Sequence, residues 1–479
     1  MLFNTFTFGY FLVASATLYW TLFNRRRHLR NAFLLVASYL FYACWDWRFL
    51  FLIAAVTLTD FLAGRLIGQA SSQRARRATL VAALVLNLGT LGFFKYYNFF
   101  IDSANALLGL LGLGPSLHTL HIILPVGISF FTFQGLGYVI DIYRRQLQPT
   151  RDPVAFAAFI AFFPQLVAGP IERARNLLPQ FLDPAPRKPF DYDLMRRGLL
   201  LIAWGCYKKV ILADRLAIYV DNAYANPVDG LPTLIASLFF CFQLYLDFSA
   251  YSQIAVGTAR LFGFRLSTNF RRPYLATSFR NFWQRWHISL SSWFRDYLYL
   301  PLGGNRRSTA RTILNTLIVF ILSGLWHGAS WNFAIWGILN GLALLLFDRL
   351  LKLNPKSLAA KIPTAILVTL VWGVTLVFFR TGTLADALGI FANWGFGNAD
   401  RLFSFGLCNL EFIFTWLIML ILWVAEITVE ASHGKAKTLF YSRSMTPLRW
   451  FVYLFLVLSV IYFGIYGNGS DNSFIYFQF

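Results

Sequence analysis

The sequence predicts an all-α integral membrane protein of about 11 to 12 transmembrane helices, and three observations carry that expectation. Of its 479 residues, 57% are hydrophobic and only 13% charged, with a mean hydropathy of +0.56, too apolar for a soluble multidomain chain. The apolar residues lie in long continuous runs rather than in the period-two alternation of a membrane barrel. The basic residues sit in short clusters between those runs, as they do in cytoplasmic loops.

That clustering also decides how the net charge of +21 is read. A nucleic-acid-binding protein concentrates its lysines and arginines on one face, whereas here they punctuate apolar segments, so nucleic acid is not an expected partner. Cys44, Cys206, Cys241 and Cys408 show no metal-like spacing and read as small buried hydrophobes. The first apolar run lacks a basic leader and a small-residue cleavage site before Arg25, and reads as a retained span rather than a signal peptide.

A crossing needs roughly 20 apolar residues at about 1.5 Å each. Thr7 to Phe23, Asn31 to Cys44, Phe49 to Ile67 and Ala78 to Tyr97 are the first candidates. Arginines follow the first and third of these, while Trp45, Asp46 and Trp47 follow the second, so loop charge places the N-terminus outside. The segment with His118 and His121 is then extracytoplasmic, and the run from Leu124 crosses inward to Arg144 and Arg145. From Val154 to Asn176 the apolar stretch is short and broken by Pro164, Gly169 and Pro170, which predicts a segment that enters and turns back.

A span near Gly198 to Ile218 contains Lys208 and Lys209, which are expected to snorkel or to line a cavity. Leu231 to Phe262 carries Gln243, Asp247, Ser249 and Gln253 and is expected to turn that face inward. The basic, aromatic stretch from Arg265 to Arg311 is cytoplasmic by loop count. It is expected to set Trp283, Trp286 and Trp293 at the membrane interface while Arg280, Arg285 and Arg295 meet headgroups or an anionic ligand. Thr312 to Trp326, Phe333 to Phe347, Ile362 to Phe379, Phe412 to Val429 and Phe451 to Tyr466 complete the crossings. The cytoplasmic loops among them carry Lys352, Lys356 and Lys361, then Lys435, Lys437, Arg443 and Arg449, and the C-terminal DNSFIYFQF falls outside. No internal repeat and no separate soluble domain is evident, so residues 1–479 are expected to form a single polytopic domain.

The chemistry centres on LSGLWHGASWNF, Leu322 to Phe333, which sets His327 in a Gly- and Trp-rich break between two spans. An ionisable side chain at membrane depth is costly and marks a candidate functional site, with Trp326 and Asn332 beside it. His287, in the basic and aromatic stretch, is the second candidate. Either imidazole could be structural, bonded to a backbone carbonyl. Either could shuttle a proton at neutral pH, as acyl transfer requires. The histidines lack close zinc-site spacing, so no metal is expected, and no GxSxG elbow supports a serine hydrolase. The arginines from Arg271 to Arg307 suit either anionic lipid or the phosphates of a nucleotide donor, and Glu172 suits a local ion pair better than a contact with a histidine.

FFPQLVAGPIER, WQRWHISLSSWFRDYLYLPLGGNR and LSGLWHGASWNFAIWGILNG resemble the blocks of the membrane-bound O-acyltransferase family, in its bacterial alginate O-acetylation branch. LPVGISFFTFQGLGYVIDIYR and the closing FIYFQF resemble the same branch, so the likeness runs through nearly the whole chain in order. The resemblance implies helices around a central tunnel, with His327 and His287 at the family's two catalytic positions and Trp283, Arg285, Trp286, Trp326 and Asn332 as candidate contacts to substrate or donor. It implies acetyl-CoA as the donor substrate with no bound cofactor, a bacterial inner-membrane location, an extracytoplasmic polysaccharide acceptor, and a partner acetyltransferase of the SGNH type. Two rival readings are D-alanyl transfer to teichoic acid on the same fold, and a non-enzymatic saccharide flippase using the polar face that contains Gln243, Asp247 and Gln253.

Overall fold

A computed structural model describes residues 1–114, 117–185, 191–351, 355, 357–432, 435–466 and 474–475. Lys352, Lys356 and most of the closing DNSFIYFQF lie outside the described residues. Among those described, the regular structure is helical, with no β-strand. The chain forms two compact units that interleave in sequence. One comprises residues 1–199, 255–267 and 292–301, and the other 200–254, 268–291 and 302–479.

The helices are, in order, α1 (Phe6–Leu18), α2 (Arg27–Asp46), α3 (Phe49–Gln69), α4 (Gln73–Leu91), α5 (Tyr97–Leu110), α6 (Ile128–Tyr143), α7 (Pro153–Ala161), α8 (Ala174–Leu182), α9 (Tyr192–Tyr207) and α10 (Asp214–Ala225). They continue as α11 (Leu231–Leu261), α12 (Phe279–Trp283), α13 (Ile288–Phe294), α14 (Thr309–His327), α15 (Trp331–Leu346), α16 (Leu358–Arg380), α17 (Leu384–Ala392), α18 (Asn409–Ala431), α19 (Lys435–Phe440) and α20 (Thr446–Phe463). Among the described residues nine helical stretches are long and apolar enough to cross a membrane. The three further crossings read from the sequence are also helical: α2 over Asn31 to Cys44, the 16-residue α6, and α9 with α10 around the two lysines. The protein is a multi-pass helical membrane protein.

In the first unit α2, α3, α4, α6, α7 and α8 pack together. The apolar face of α3 is interrupted by Asp60, whose carboxylate accepts from Asn87 on α4 at 2.8 Å in a fully buried position. A Cβ at Gly135 would overlap Asp60 Oδ2, so only glycine lets α6 approach α3 this closely. The short segment predicted to turn back does so: α7 ends at Ala161, residues 163–169 turn, and α8 packs against α7. Gln134 and Gln165 satisfy freed backbone there, both donating to the Phe159 carbonyl.

In the second unit α14 and α15 form an antiparallel pair with glycines at their contact. A Cβ at Gly324 would stand 2.1 Å from the Phe333 carbonyl oxygen, and one at Gly337 2.3 Å from that of Phe320. Such small residues let two membrane helices approach backbone to backbone. α16 packs on α15 and carries Trp372 into the core.

Lys208 and Lys209 do not snorkel to a surface. A π-helical turn, Lys208–Ala213, joins α9 to α10, and both side chains are buried. Lys209 bridges Asp214 at 2.8 Å and Asp247 on α11 at 2.6 Å, and the Ile475 amide donates to Asp247 Oδ2 at 2.7 Å. Lys208 donates to Ser249. Of the polar face predicted on α11, Asp247 and Ser249 are thus taken up by the two lysines, as buried charges persist only when paired. Of the cysteines, Cys241 alone is fully buried, whereas Cys44 and Cys408 lie on the protein surface.

Replacing Lys209 by Met would leave two buried carboxylates facing one another. The expected loss is about 3–5 kcal/mol, read as a lower thermal midpoint of the purified protein in detergent. An unchanged midpoint would show that the triad contributes little.

Candidate active site

The site grows from one helix end. α14 stops immediately after His327, Gly328 leaves room for the Phe333 ring where a Cβ would collide with it, Ser330 precedes α15, and the chain reverses within three residues. His327 is therefore the last helical residue, 7% exposed, with its imidazole edge-on to Trp326 (centroids 5.1 Å apart), Trp336 (5.2 Å) and Phe379 (5.3 Å). Apolar ring faces surround the imidazole and exclude water from its sides.

His287 lies between α12 and α13 with φ of 40°, a left-handed conformation that costs energy in a residue bearing a Cβ. Strain of this kind persists only where the surroundings over-determine it. Here two main-chain hydrogen bonds pair residues 269–271 with 285–288: Arg271 N–H to the Arg285 carbonyl and Ile288 N–H to the Asn269 carbonyl, both 2.9 Å. The side chain of Asn269 completes the clamp. Its Oδ1 lies 3.1 Å from His287 Nδ1 and accepts from the Ser289 amide at 3.2 Å and the Ser289 hydroxyl at 2.9 Å, while its Nδ2 donates to Ser252 on α11. Phe248 closes the other side, ring to ring at 4.8 Å. Burial pushes the His287 imidazole down to about 3, so it is neutral at physiological pH.

The two imidazoles, 40 residues apart in sequence, stand with centroids 6.4 Å apart and planes at 62°, and Trp326 touches both. Trp283 and Trp286 extend the aromatic wall through Trp336 and Trp372. These tryptophans correct the interfacial expectation: Trp286 and Trp293 are buried, the latter stacked on Phe133 in the first unit, because the segment folds inward rather than lying along a surface. The arginines are paired within the protein. Arg280 meets Asp348, Arg295 meets Asp296, and Arg285 and Arg272 share Glu430, with Arg285 also donating to Asn281.

The remaining predicted residues divide. Trp326 belongs to the site, whereas Asn332 turns its amide to the carbonyl and hydroxyl of Thr381, fastening α15 to the end of α16. Trp331 points outward. Among the described residues Glu172 forms neither a local ion pair nor a histidine contact: within the first unit it accepts from the backbone and hydroxyl of Ser267, and Arg173 pairs with Asp296 instead. Burial raises the Glu172 carboxyl to about 7, with the Ser267 hydrogen bonds opposing. Asn269 escaped the sequence reading. Its only signal was an asparagine ahead of a Phe-Arg-Arg-Pro run, which resembles any loop asparagine until Ser289 and His287 are placed beside it.

Two imidazoles converging in a water-poor aromatic setting at a span's end suit transfer of an acyl group between a thioester and a hydroxyl. Residues 145–372, which contain both histidines, match the model of the MBOAT, membrane-bound O-acyltransferase family. The chain belongs to that family and is an O-acyltransferase. Within it, the chain falls in the alginate O-acetylation branch. It is 41% identical to a "Probable alginate O-acetylase AlgI" of Pseudomonas aeruginosa over 80% of this chain and 71% of the relative. It is 36% identical to the protein so named in Pseudomonas putida over 94% of both. A peptidoglycan O-acetyltransferase of Helicobacter pylori is 35% identical over 74% of this chain and 72% of that protein.

Because the folded-state carboxyl of Glu172 titrates above its ordinary 4.5, its neutral form is favoured by folding. Stability is then full below that ordinary value and falls as pH rises toward about 7. Relative to Glu172→Gln, the wild-type melting midpoint should match at acid pH and drop below it by neutral pH. Parallel midpoints across the range would refute this.

Proposed function

We propose that the protein transfers an acetyl group from cytosolic acetyl-CoA for O-acetylation of an extracytoplasmic polysaccharide, alginate or a similar exopolysaccharide, in the bacterial inner membrane. The observation that carries this reading is the convergence of His327 and His287 inside one aromatic enclosure, in a chain whose relatives named O-acetylases match it over most of both lengths. An SGNH-type acetyltransferase outside the membrane completes delivery to the polymer.

His327 acts as general base or as transient acyl acceptor. As base, it takes the proton of the attacking hydroxyl; the new C–O bond forms, the thioester C–S bond breaks, and the proton passes to the departing thiolate. As acyl acceptor, it divides that exchange into two steps of lower barrier. His287 orients the reacting group, and the tryptophan wall excludes the water that would hydrolyse the thioester. No resident cofactor or metal is required by this chemistry. Acetyl rather than D-alanyl transfer is favoured because the relatives named O-acetylases are 36% and 41% identical over 94% and 80% of this chain, against 28% over 48% of it for a teichoic acid D-alanyltransferase of Bacillus subtilis.

The test is acetyl transfer from radiolabelled acetyl-CoA to de-O-acetylated alginate by the purified protein with its SGNH-type partner. His327→Ala should lower transfer by about 100-fold or more while the protein remains inserted and monodisperse. Full activity in that variant would overturn the assignment, and mass spectrometry of the product identifies the acyl group.

A further inference from the structure

The hydrogen bonds around Asn269 determine more than the position of His287. A backbone amide can only donate, so the Asn269 atom 3.2 Å from the Ser289 nitrogen is the oxygen, and the amide nitrogen faces Ser252. The same oxygen stands 3.1 Å from His287 Nδ1. An oxygen acceptor there requires Nδ1 to carry the proton, which places the lone pair of the neutral ring on Nε2. A lone pair holds an O–H, S–H or N–H group and disfavours a carbonyl oxygen.

The ring spacing fits one intervening atom. With centroids 6.4 Å apart and each ring nitrogen about 1.2 Å from its centroid, nitrogens of His287 and His327 approach no closer than about 4 Å, which excludes a direct hydrogen bond and leaves room for an intervening atom. We propose that Asn269 is the positioning residue that holds His287 as its Nδ1–H tautomer, so that Nε2 accepts a hydrogen bond from the hydroxyl of the acyl acceptor and does not donate to the acyl carbonyl. This rests on the reading that His287 orients the reacting group. The strained φ of His287 is held in part by the Asn269 and Arg285 carbonyl contacts, so the same residue braces the turn and the ring.

Other ionisable groups surround this imidazole. His327 faces it from α14. On α11, Asp247 precedes the Phe248 that packs on the ring and is held by Lys209 and the Ile475 amide. Tyr245, one turn earlier, donates to Glu426 of α18, and Arg285 pairs with Glu430. Asp247, Tyr245 and Arg285 are engaged with other partners, and it is the Asn269 oxygen that meets Nδ1.

The test uses the full chain labelled with ¹⁵N-histidine. The difference spectrum between wild type and His287→Ala isolates one imidazole among the six histidines, and the expected result at neutral pH is a protonated Nδ1 with an unprotonated Nε2. The reverse assignment overturns the proposal. In the acetyl-transfer assay, Asn269→Asp retains an acceptor for Nδ1–H and adds a charge that favours imidazolium. Its kcat should stay within about fivefold of wild type while the acidic limb of kcat/KM moves to higher pH. Asn269→Leu should lower kcat about tenfold or more with KM for acetyl-CoA unchanged. An unmoved acidic limb in the Asp variant, or wild-type kcat in the Leu variant, overturns the proposal. If the Leu variant does not fold, the Asp variant and the labelled wild type decide. Full activity in His287→Ala is a separate failure, which removes the reading that His287 touches the reacting group.

Discussion

The site depends on one clamp, the pairing of residues 269–271 with 285–288, in which Asn269 presents both its main-chain carbonyl and its side-chain oxygen to the turn that bears His287. A fully buried imidazole in a left-handed backbone conformation has two costs, desolvation and strain, and neither is offset by apolar packing. Hydrogen bonds offset both because they act on the main chain and the ring together. The aromatic wall, the opposed His327 and the exclusion of water all presuppose that the turn stays where the clamp holds it.

His327 is positioned by a different device. Its place is the end of α14, and that end is set by the contact of α14 with α15, where Gly324 and Gly337 each meet the partner backbone at distances no Cβ permits. Helices in lipid gain little from burying apolar surface, so van der Waals packing of closely approaching backbones is what orients them. A rigid helix pair then carries one imidazole, and a strained, clamped turn carries the other. Two imidazoles positioned by such different means can share a geometry only if both supports resist motion.

The charged groups show how the fold handles ions in an apolar chain. Lys209 lies between Asp214 and Asp247, and Glu430 receives Arg272 and Arg285. Each pairing joins segments distant in sequence, α10 with α11 in one case and the end of α18 with residues 272–285 in the other. Buried or half-buried ions removed from such pairs carry an uncompensated desolvation cost, so these contacts specify which segments meet. The arginines near His287 therefore serve first as structural ties.

The sequence by itself determined the class of protein, the helices and the two histidines. Apolar runs near bilayer length have only helical solutions in lipid, loop arginines mark the cytoplasmic side, and a histidine such as His327 in an apolar run is conspicuous without any neighbour in view. Even the turn after Phe163 was legible, since proline and glycine interrupt a short apolar segment there. Only the tertiary structure decided partnership. That Lys209 is buried between carboxylates, that Trp286 and Trp293 point inward, that Asn332 ties to Thr381, and that Asn269 holds His287 all depend on residues tens to hundreds of positions away. Periodicity and composition report which way a side chain must face on its own element. The hydrogen bond or ion pair that makes a polar side chain tolerable in an apolar interior belongs to two elements at once, and no single stretch of sequence contains both.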